Sequence, residues 1–267
     1  MKKMKDIAYA LLIIIVIVFL GLTPAKPSAV FQLKWEDIGI KMVEAGVIDK
    51  EKFEELYNQR GGLSETDIKL LTSDKNENIE INTENSGIML NMLWAFGLGN
   101  KNEILQNGPM MDERYGNPGN FASTGGWTLS RGHAMSHYSM HSFVNLTKEQ
   151  QVLVERAAKN IYRPCCGNST HFPDCNHGMA MLGLLELMAS QGASESDMYK
   201  TALEVNSLWF PQEYDNIQAY LTSKNLDWKN AEPKEILGVN YSSAEGYQKM
   251  LLQMQSPGQK NGTGCGA

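Results

Sequence analysis

The sequence predicts a mostly α-helical protein: an irregular helical bundle with one long ordered loop at about residues 100–132 and an N-terminal signal or anchor helix. Apolar residues recur at helical spacing along most of the chain after residue 30. Capping residues precede several of these segments, and only one short stretch alternates as a strand does. A net charge of −6 and 42% hydrophobic residues provide material for a core and no basic surface for nucleic acid.

Residues 1–30 are predicted to be a signal peptide or a membrane anchor. Three lysines among the first five residues precede the almost purely apolar run 7–22, which is the pattern of an export segment. The lysines should stay in the cytoplasm, so the rest of the chain is expected on the extracytoplasmic face of the cell envelope. A helix of this length spans about 24 Å, short of the ~30 Å hydrocarbon core. Because neither Ala25 nor Ala29 ends a good cleavage site, a membrane anchor is slightly favoured over a cleaved, secreted form.

Residues 31–255 are predicted to form a single α-helical extracytoplasmic domain, with a small lobe at 31–82 as an option, before a glycine-rich disordered tail at 256–267. Residues 76–82 alternate briefly, which indicates a short strand whose partner the sequence does not identify. Helices are predicted before residue 100 at 34–45, at 50–57, after the Ser64 and Asp67 capping pair, and at 87–98.

The segment 100–132 contains repeated glycine and proline residues and has no helical period. Loops of this length inside a domain are usually functional or disordered. Its aromatic residues Tyr115, Phe121 and Trp127 indicate that the segment is packed. It is therefore predicted to be ordered.

Helices resume after this loop. Thr147 and Gln150 form a capping box before a helix at 148–161, which ends ahead of Pro164. The next helix, 177–191, is expected to be capped by Asp174 or Asn176. Further helices are predicted from the Ser194 and Asp197 pair to residue 209, at 211–224, and at 242–255.

The strongest chemical signal is a cluster of soft donor atoms in residues 165–177. Its candidate metal ligands are Cys165, Cys166, His171, Cys175 and His177. Thiolate and imidazole together suit copper or zinc. The start of a helix at about His177 favours a thiolate at Cys175. Because adjacent cysteines cannot easily place both sulfurs on one ion, Cys165 and Cys166 are expected to serve different partners or to bridge two ions.

A second cluster lies upstream, where His133, His137 and His141 are spaced four residues apart. On a helix they would share one face, and neighbouring pairs would reach one ion. All five histidines of the chain lie in these two clusters, which favours a site completed by His133 or His137. The alternative is a polar, solvent-facing or non-helical segment, because glycine and serine weaken the helix prediction.

Two other functions stay open beside metal handling or support of a redox partner. A thiol-redox enzyme would use Cys165, Cys166 and Cys175. A structural or interaction domain would be stapled by a disulfide, since exported cysteines are usually bonded, with Cys265 available for a second pair. The chain has no hydrolase, metalloprotease or phosphate-loop motif. Whether it is an enzyme is therefore undecided from sequence.

The residues 161–167 (IYRPCCG) and 174–178 (DCNHG) resemble the core of the uncharacterised exported bacterial proteins named for a PCYCGC motif. The resemblance covers about thirty residues. This chain has Cys-Cys-Gly in place of Cys-Tyr-Cys-Gly-Cys and lacks a later cysteine pair. A metal role implied by the resemblance therefore rests on Cys165, Cys166, Cys175 and His177, and no activity is implied.

Overall fold

A computed structural model describes residues 32–75 and 78–255, all of which belong to one compact unit. The predicted signal or anchor at 1–30 and the predicted tail at 256–267 lie outside the described residues. The described chain is mostly helical, which confirms the predicted fold class. None of its helices combines the length and the apolar content that crossing a membrane requires.

The elements are short and closely connected. In chain order they are β1 (Leu33–Lys34), α1 (Ile38–Ala45), α2 (Lys50–Asn58), α3 (Glu65–Thr72), β2 (Asn78–Ile79), α4 (Ser86–Gly99), α5 (Glu103–Asn107), α6 (Lys148–Asn160), α7 (Asn176–Ser190), α8 (Glu195–Trp209), α9 (Pro211–Ser223), α10 (Pro233–Ile236), α11 (Val239–Ser242) and α12 (Ala244–Gln255). The predicted capping boxes are present at the starts of α3, α6 and α8.

The predicted short strand has its partner at the other end of the N-terminal helical region. β2 pairs antiparallel with β1, with Leu33 opposite Ile79. The helix predicted from residue 34 therefore starts only at Ile38, because the extended pairing occupies the residues before it. The buried Trp35 stays outside the helix and donates its indole N–H to the Leu70 carbonyl at 2.9 Å.

Two helices, α4 and α7, form the centre of the core and touch backbone to backbone. A Cβ atom placed on Gly97 would lie 2.3 Å from the carbonyl oxygen of Met179, and one on Gly183 would lie 2.5 Å from that of Leu93. α7 is buried on all sides from Gly178 to Ala189. The sequence predicted one buried face for this helix, whereas in the structure the whole circumference of this part of the helix is buried.

The buried helix α7 carries one acidic residue, Glu186, which is 0% exposed. Its Oε2 accepts a hydrogen bond from Asn100 Nδ2 at 2.6 Å, while Oε1 has no partner. Burial raises the pKa of Glu186 well above its ordinary value of 4.5, since a carboxylate loses its hydration in the core. The protonated acid is therefore the favoured form in the folded chain.

The segment 100–132 is ordered, as predicted, and it contains α5 followed by 3₁₀ turns at Pro109–Met111, Glu113–Tyr115 and Pro118–Asn120. Trp127 anchors it by donating to the Val47 carbonyl at 2.8 Å. The rings of Tyr115, Phe121 and Phe172 pack with centroids 5.1 to 5.9 Å apart. The long loop is thereby attached to the segment that carries the cysteines.

We expect Gly97→Ala to lower the free energy of unfolding by about 1–3 kcal/mol, because the added methyl group overpacks a contact between rigid backbones. Gly87→Ala, in the first turn of the same helix, is the matched control because its Cβ would meet open space. Gly87→Ala should be as stable as the wild type or slightly more stable. Urea unfolding of both variants measures the difference, and equal midpoints would contradict the close helix contact.

We expect Glu186→Gln to change how stability depends on pH. Glu186 retains a proton in the folded state that the unfolded chain releases above about pH 4.5, so its contribution to stability falls as pH rises. The Glu186→Gln variant has no such pH-dependent loss. Its free energy of unfolding should therefore increase relative to that of the wild type from about pH 5 upward. Urea unfolding across this range measures the gain, and parallel stability profiles would refute it.

Candidate metal centre

The cysteine-bearing connection between α6 and α7 spans residues 161–175 and is held at its base by backbone hydrogen bonds. Thr170 donates its N–H and its hydroxyl to the Ile161 carbonyl at 2.8 and 3.0 Å. His171 donates its backbone N–H to the Ala158 carbonyl at 3.1 Å. These bonds close the connection into a compact loop, so its cysteines are brought back to the start of α7.

The guanidinium of Arg163 lies inside this loop and is 1% exposed. It donates to two backbone carbonyls, those of Asn168 at 2.9 Å and Phe172 at 3.3 Å. It also donates to Asp174 Oδ1 at 2.7 Å and, through Nε, to Cys175 Sγ at 3.0 Å. Burial alone would lower the pKa of Arg163, but the neighbouring sulfurs and carboxylate hold it above its ordinary value. The loop is therefore organised around a buried cation.

Gly178 allows this cation to lie against the first turn of α7. A Cβ atom at Gly178 would lie 2.4 Å from Arg163 Nη2, so any other residue would displace the guanidinium. A helix N-terminus carries a partial positive charge, which makes a guanidinium unfavourable there on its own. Negative charge on Asp174 and Cys175 offsets both positive groups.

Cys175 is the N-cap of α7, and its Sγ accepts the Gly178 N–H at 3.4 Å. The prediction that Asp174 or Asn176 caps this helix is therefore wrong. Asp174 is instead paired with Arg163 and accepts the Asn168 side-chain amide at 2.8 Å.

The sulfur atoms of Cys165 and Cys175 lie 3.7 Å apart. Hydrogen bonds from Cys165 and Cys166 lower the pKa of Cys175, with smaller contributions from His177 and the charge on Arg163. Hydrogen bonding to Cys166 and Cys175, together with burial, raises the pKa of Cys165. These interactions favour negative charge on Cys175 and retention of the proton on Cys165.

Among the described residues, two groups of three side chains could hold a metal ion, because the donor atoms within each group all lie within 4.8 Å of one another. The first joins Cys165, Cys175 and His177, and the second joins Cys166, Asp174 and Cys175. The Asp174 carboxylate of the second group is already paired with the buried guanidinium, whereas His177 of the first group has no such ion pair with Arg163. The first group is therefore the better site, and Cys165 and Cys166 belong to different groups.

The upstream histidines lie in neither of these groups. Only Ala134–Ser136 forms a 3₁₀ turn, so the helix considered for this segment is wrong. His137 Nδ1 lies 3.1 Å from His141 Nε2, and His137 Nε2 lies 2.9 Å from the Arg131 carbonyl. His133 accepts the Met135 N–H at 3.2 Å. The rings of His137 and His141 therefore bond to each other, and the ring of His133 bonds to the local backbone.

His171 also lies outside both groups, although it belongs to the same loop. Its Nε2 lies 3.5 Å from Glu155 Oε1, and it lines a cavity of about 530 Å³ together with Glu103 and Asp112. Burial lowers the pKa of His171. His171 of the loop and His177 of α7 therefore lie in different places.

Sequence reasoning missed Arg163 and Gly178 as parts of the site. An arginine before a proline and a glycine after a histidine have no pattern that marks them as packed together. Met179 and Met181, which follow His177 in the sequence, are buried in the hydrophobic core, as methionines at helical spacing usually are. The organising contacts of the site were therefore visible only in three dimensions.

We expect Arg163→Met to lower the free energy of unfolding by about 3 kcal/mol, because it leaves Asp174 and two loop carbonyls without their buried partner. Arg156→Met is the matched control, since Arg156 is exposed and pairs with Glu195 at the surface. Arg156→Met should lower the free energy of unfolding by less than about 1 kcal/mol. Urea unfolding measures both, and equal losses would contradict a central role for Arg163.

No family model, curated protein or solved structure matches this chain, so the chemistry of the site is argued from its own residues.

Proposed function

We propose that the protein is an extracytoplasmic metal-binding protein that holds copper or zinc through Cys165, Cys175 and His177. Its role would be metal handling or support of a redox partner. The observation that carries the proposal is the convergence of two sulfurs and an imidazole within 4.8 Å. These are the donor types that copper and zinc select in proteins.

The charge of the site favours a cation. The positive charge of Arg163 is balanced by the carboxylate of Asp174, which lies 2.7 Å away. Binding of an ion displaces the proton of Cys165, so the site then holds two thiolates beside this neutral pair and the partly positive N-terminus of α7. Because these charges are partly buried, neutralising them by a bound ion is more favourable than it would be in water.

The exposure of the donors supports exchange of the ion. Cys165 is exposed, whereas Cys175 and His177 are half-buried. Three protein donors leave a coordination position open, whereas structural zinc sites are closed by four. An incoming ligand can therefore reach the ion from the side of Cys165, as transfer to another protein requires.

Two further considerations support the proposal. Cys165, Cys166 and Cys175 are free thiols, which favours metal binding over a structural disulfide. The lysine-led apolar segment at residues 1–30 supports export and attachment to a membrane. The proposed metal site would then lie on the extracytoplasmic side of the cell envelope.

We expect the purified chain to bind copper or zinc tightly, and we expect the affinity to fall on acidification because thiolate and imidazole ligands must lose their protons. His177→Gln should lose affinity by more than the roughly 10- to 100-fold that removal of an outer partner costs. Cys175→Ser should lose more, because Cys175 belongs to both donor groups. Competition titrations with Zn(II) and with Cu(I), combined with elemental analysis, measure these changes.

His171→Gln is the matched control, because this histidine lies in the same loop but outside both groups. Its metal affinity should equal that of the wild type. Cys166→Ser separates the two groups and should also retain binding. Loss of binding in Cys166→Ser with retention in Cys165→Ser would move the ion to the second group, and equal metal content in Cys175→Ser and the wild type would refute the proposal.

A further inference from the structure

We propose that the metal-free site is also a thiol–disulfide exchange centre, in which Cys175 attacks an external disulfide and Cys165 resolves the product. The substrate class is an accessible disulfide, RS–SR. The activity needs no bound ion, so it goes beyond the proposed function although it uses two of the same side chains. Three geometric features support it.

The first feature is the distance between the two sulfurs. Cys165 Sγ and Cys175 Sγ lie 3.7 Å apart, whereas a disulfide bond is about 2.05 Å long. Closing the pair requires the sulfurs to approach by about 1.6 Å, which rotation of the exposed Cys165 side chain can supply. Cys165 lies in a loop and not inside a helix or strand, so no regular element has to break.

The second feature is the set of donors around Cys175. Its sulfur accepts the Arg163 Nε–H at 3.0 Å and the Gly178 N–H at 3.4 Å. Donors from a guanidinium and a helix N-terminus stabilise negative charge on sulfur, and the thiolate is the form that attacks a disulfide. Cys175 is half-buried, so a small disulfide can approach it.

The third feature distinguishes Cys165 from its neighbour. Cys166 Sγ points toward the Asn168 carbonyl at 3.8 Å and Asp174 Oδ1 at 3.9 Å, inside the loop that Arg163 organises. Cys165 is the exposed member of the vicinal pair. Its thiol can therefore reach a mixed disulfide on Cys175 from the exposed side. Cys166 Sγ also lies within 4.8 Å of Cys175 Sγ, but its contacts hold it inside the loop, so Cys165 is assigned the resolving role.

The two steps balance as follows. The Cys175 thiolate attacks one sulfur of RS–SR, so that a Cys175–S–S–R bond forms, the original S–S bond breaks and RS⁻ leaves. The Cys165 thiol then loses its proton to solvent and attacks Cys175 Sγ, which releases a second RS⁻. The two cysteines are oxidised to a Cys165–Cys175 disulfide, and one external disulfide is reduced to two thiols.

The test treats chelator-stripped full-length protein with glutathione disulfide and follows the products by intact mass and peptide mapping. We expect the wild type to form a Cys165–Cys175 disulfide that dithiothreitol reverses. Cys165→Ser should stop at a glutathione adduct on Cys175, because the resolving thiol is missing. Cys166→Ser keeps a hydroxyl donor beside Cys175 and is the matched control: it should still form the Cys165–Cys175 disulfide, and failure to form it would assign the resolving role to Cys166 and overturn the proposal.

Adducts confined to Cys165 or Cys166, or a disulfide between those two neighbours, would overturn the proposal. So would wild-type protein that stays fully reduced. Thermal unfolding of each variant shows whether it is folded, and Cys165→Ser is chosen because its side chain is exposed. Since the assay is performed without metal, a failure to bind copper or zinc in the separate titrations leaves this proposal standing, and the converse also holds.

Discussion

The guanidinium of Arg163 is a full positive charge enclosed by a loop and placed against the positive end of a helix. Such a group is stable only if negative charge and hydrogen-bond acceptors surround it. Asp174, Cys175 and the carbonyls of Asn168 and Phe172 meet that requirement. The same contacts close the loop and orient the N-cap sulfur. The geometry of the site therefore follows from the solvation of one buried cation.

That arrangement depends on a rigid helix beneath it. α7 is enclosed by the core, and its close contact with α4 at Gly97 and Gly183 prevents it from sliding along its neighbour. Because packed interiors transmit displacement with little compression, the first turn of α7 presents Cys175 and His177 in a defined position. The long loop at 100–132 packs against the cysteine segment, where Tyr115 and Phe121 contact the ring of Phe172.

Metal binding and disulfide exchange place opposite demands on the same two sulfurs. An ion needs both Cys165 and Cys175 as thiolates, whereas exchange begins with one thiolate and one thiol and ends with a covalent bond between them. The structure suits both because one sulfur is held by fixed donors and the other is exposed. His177 contributes to the first chemistry alone, since a ring nitrogen can ligate an ion but cannot join a disulfide.

Local sequence determined the helical class, the capped starts of α3, α6 and α8, and the segment in which the soft donors lie. Those features depend on neighbours within a few residues, where side-chain spacing and caps act directly. Only the tertiary structure decided that Arg163 is buried, that Cys175 rather than Asp174 caps α7, and that His177 joins the sulfurs while His171 and the upstream histidines do not. These outcomes depend on how the folded loop solvates a buried charge and on how the loop packs against the start of α7, and no residue pattern encodes that balance.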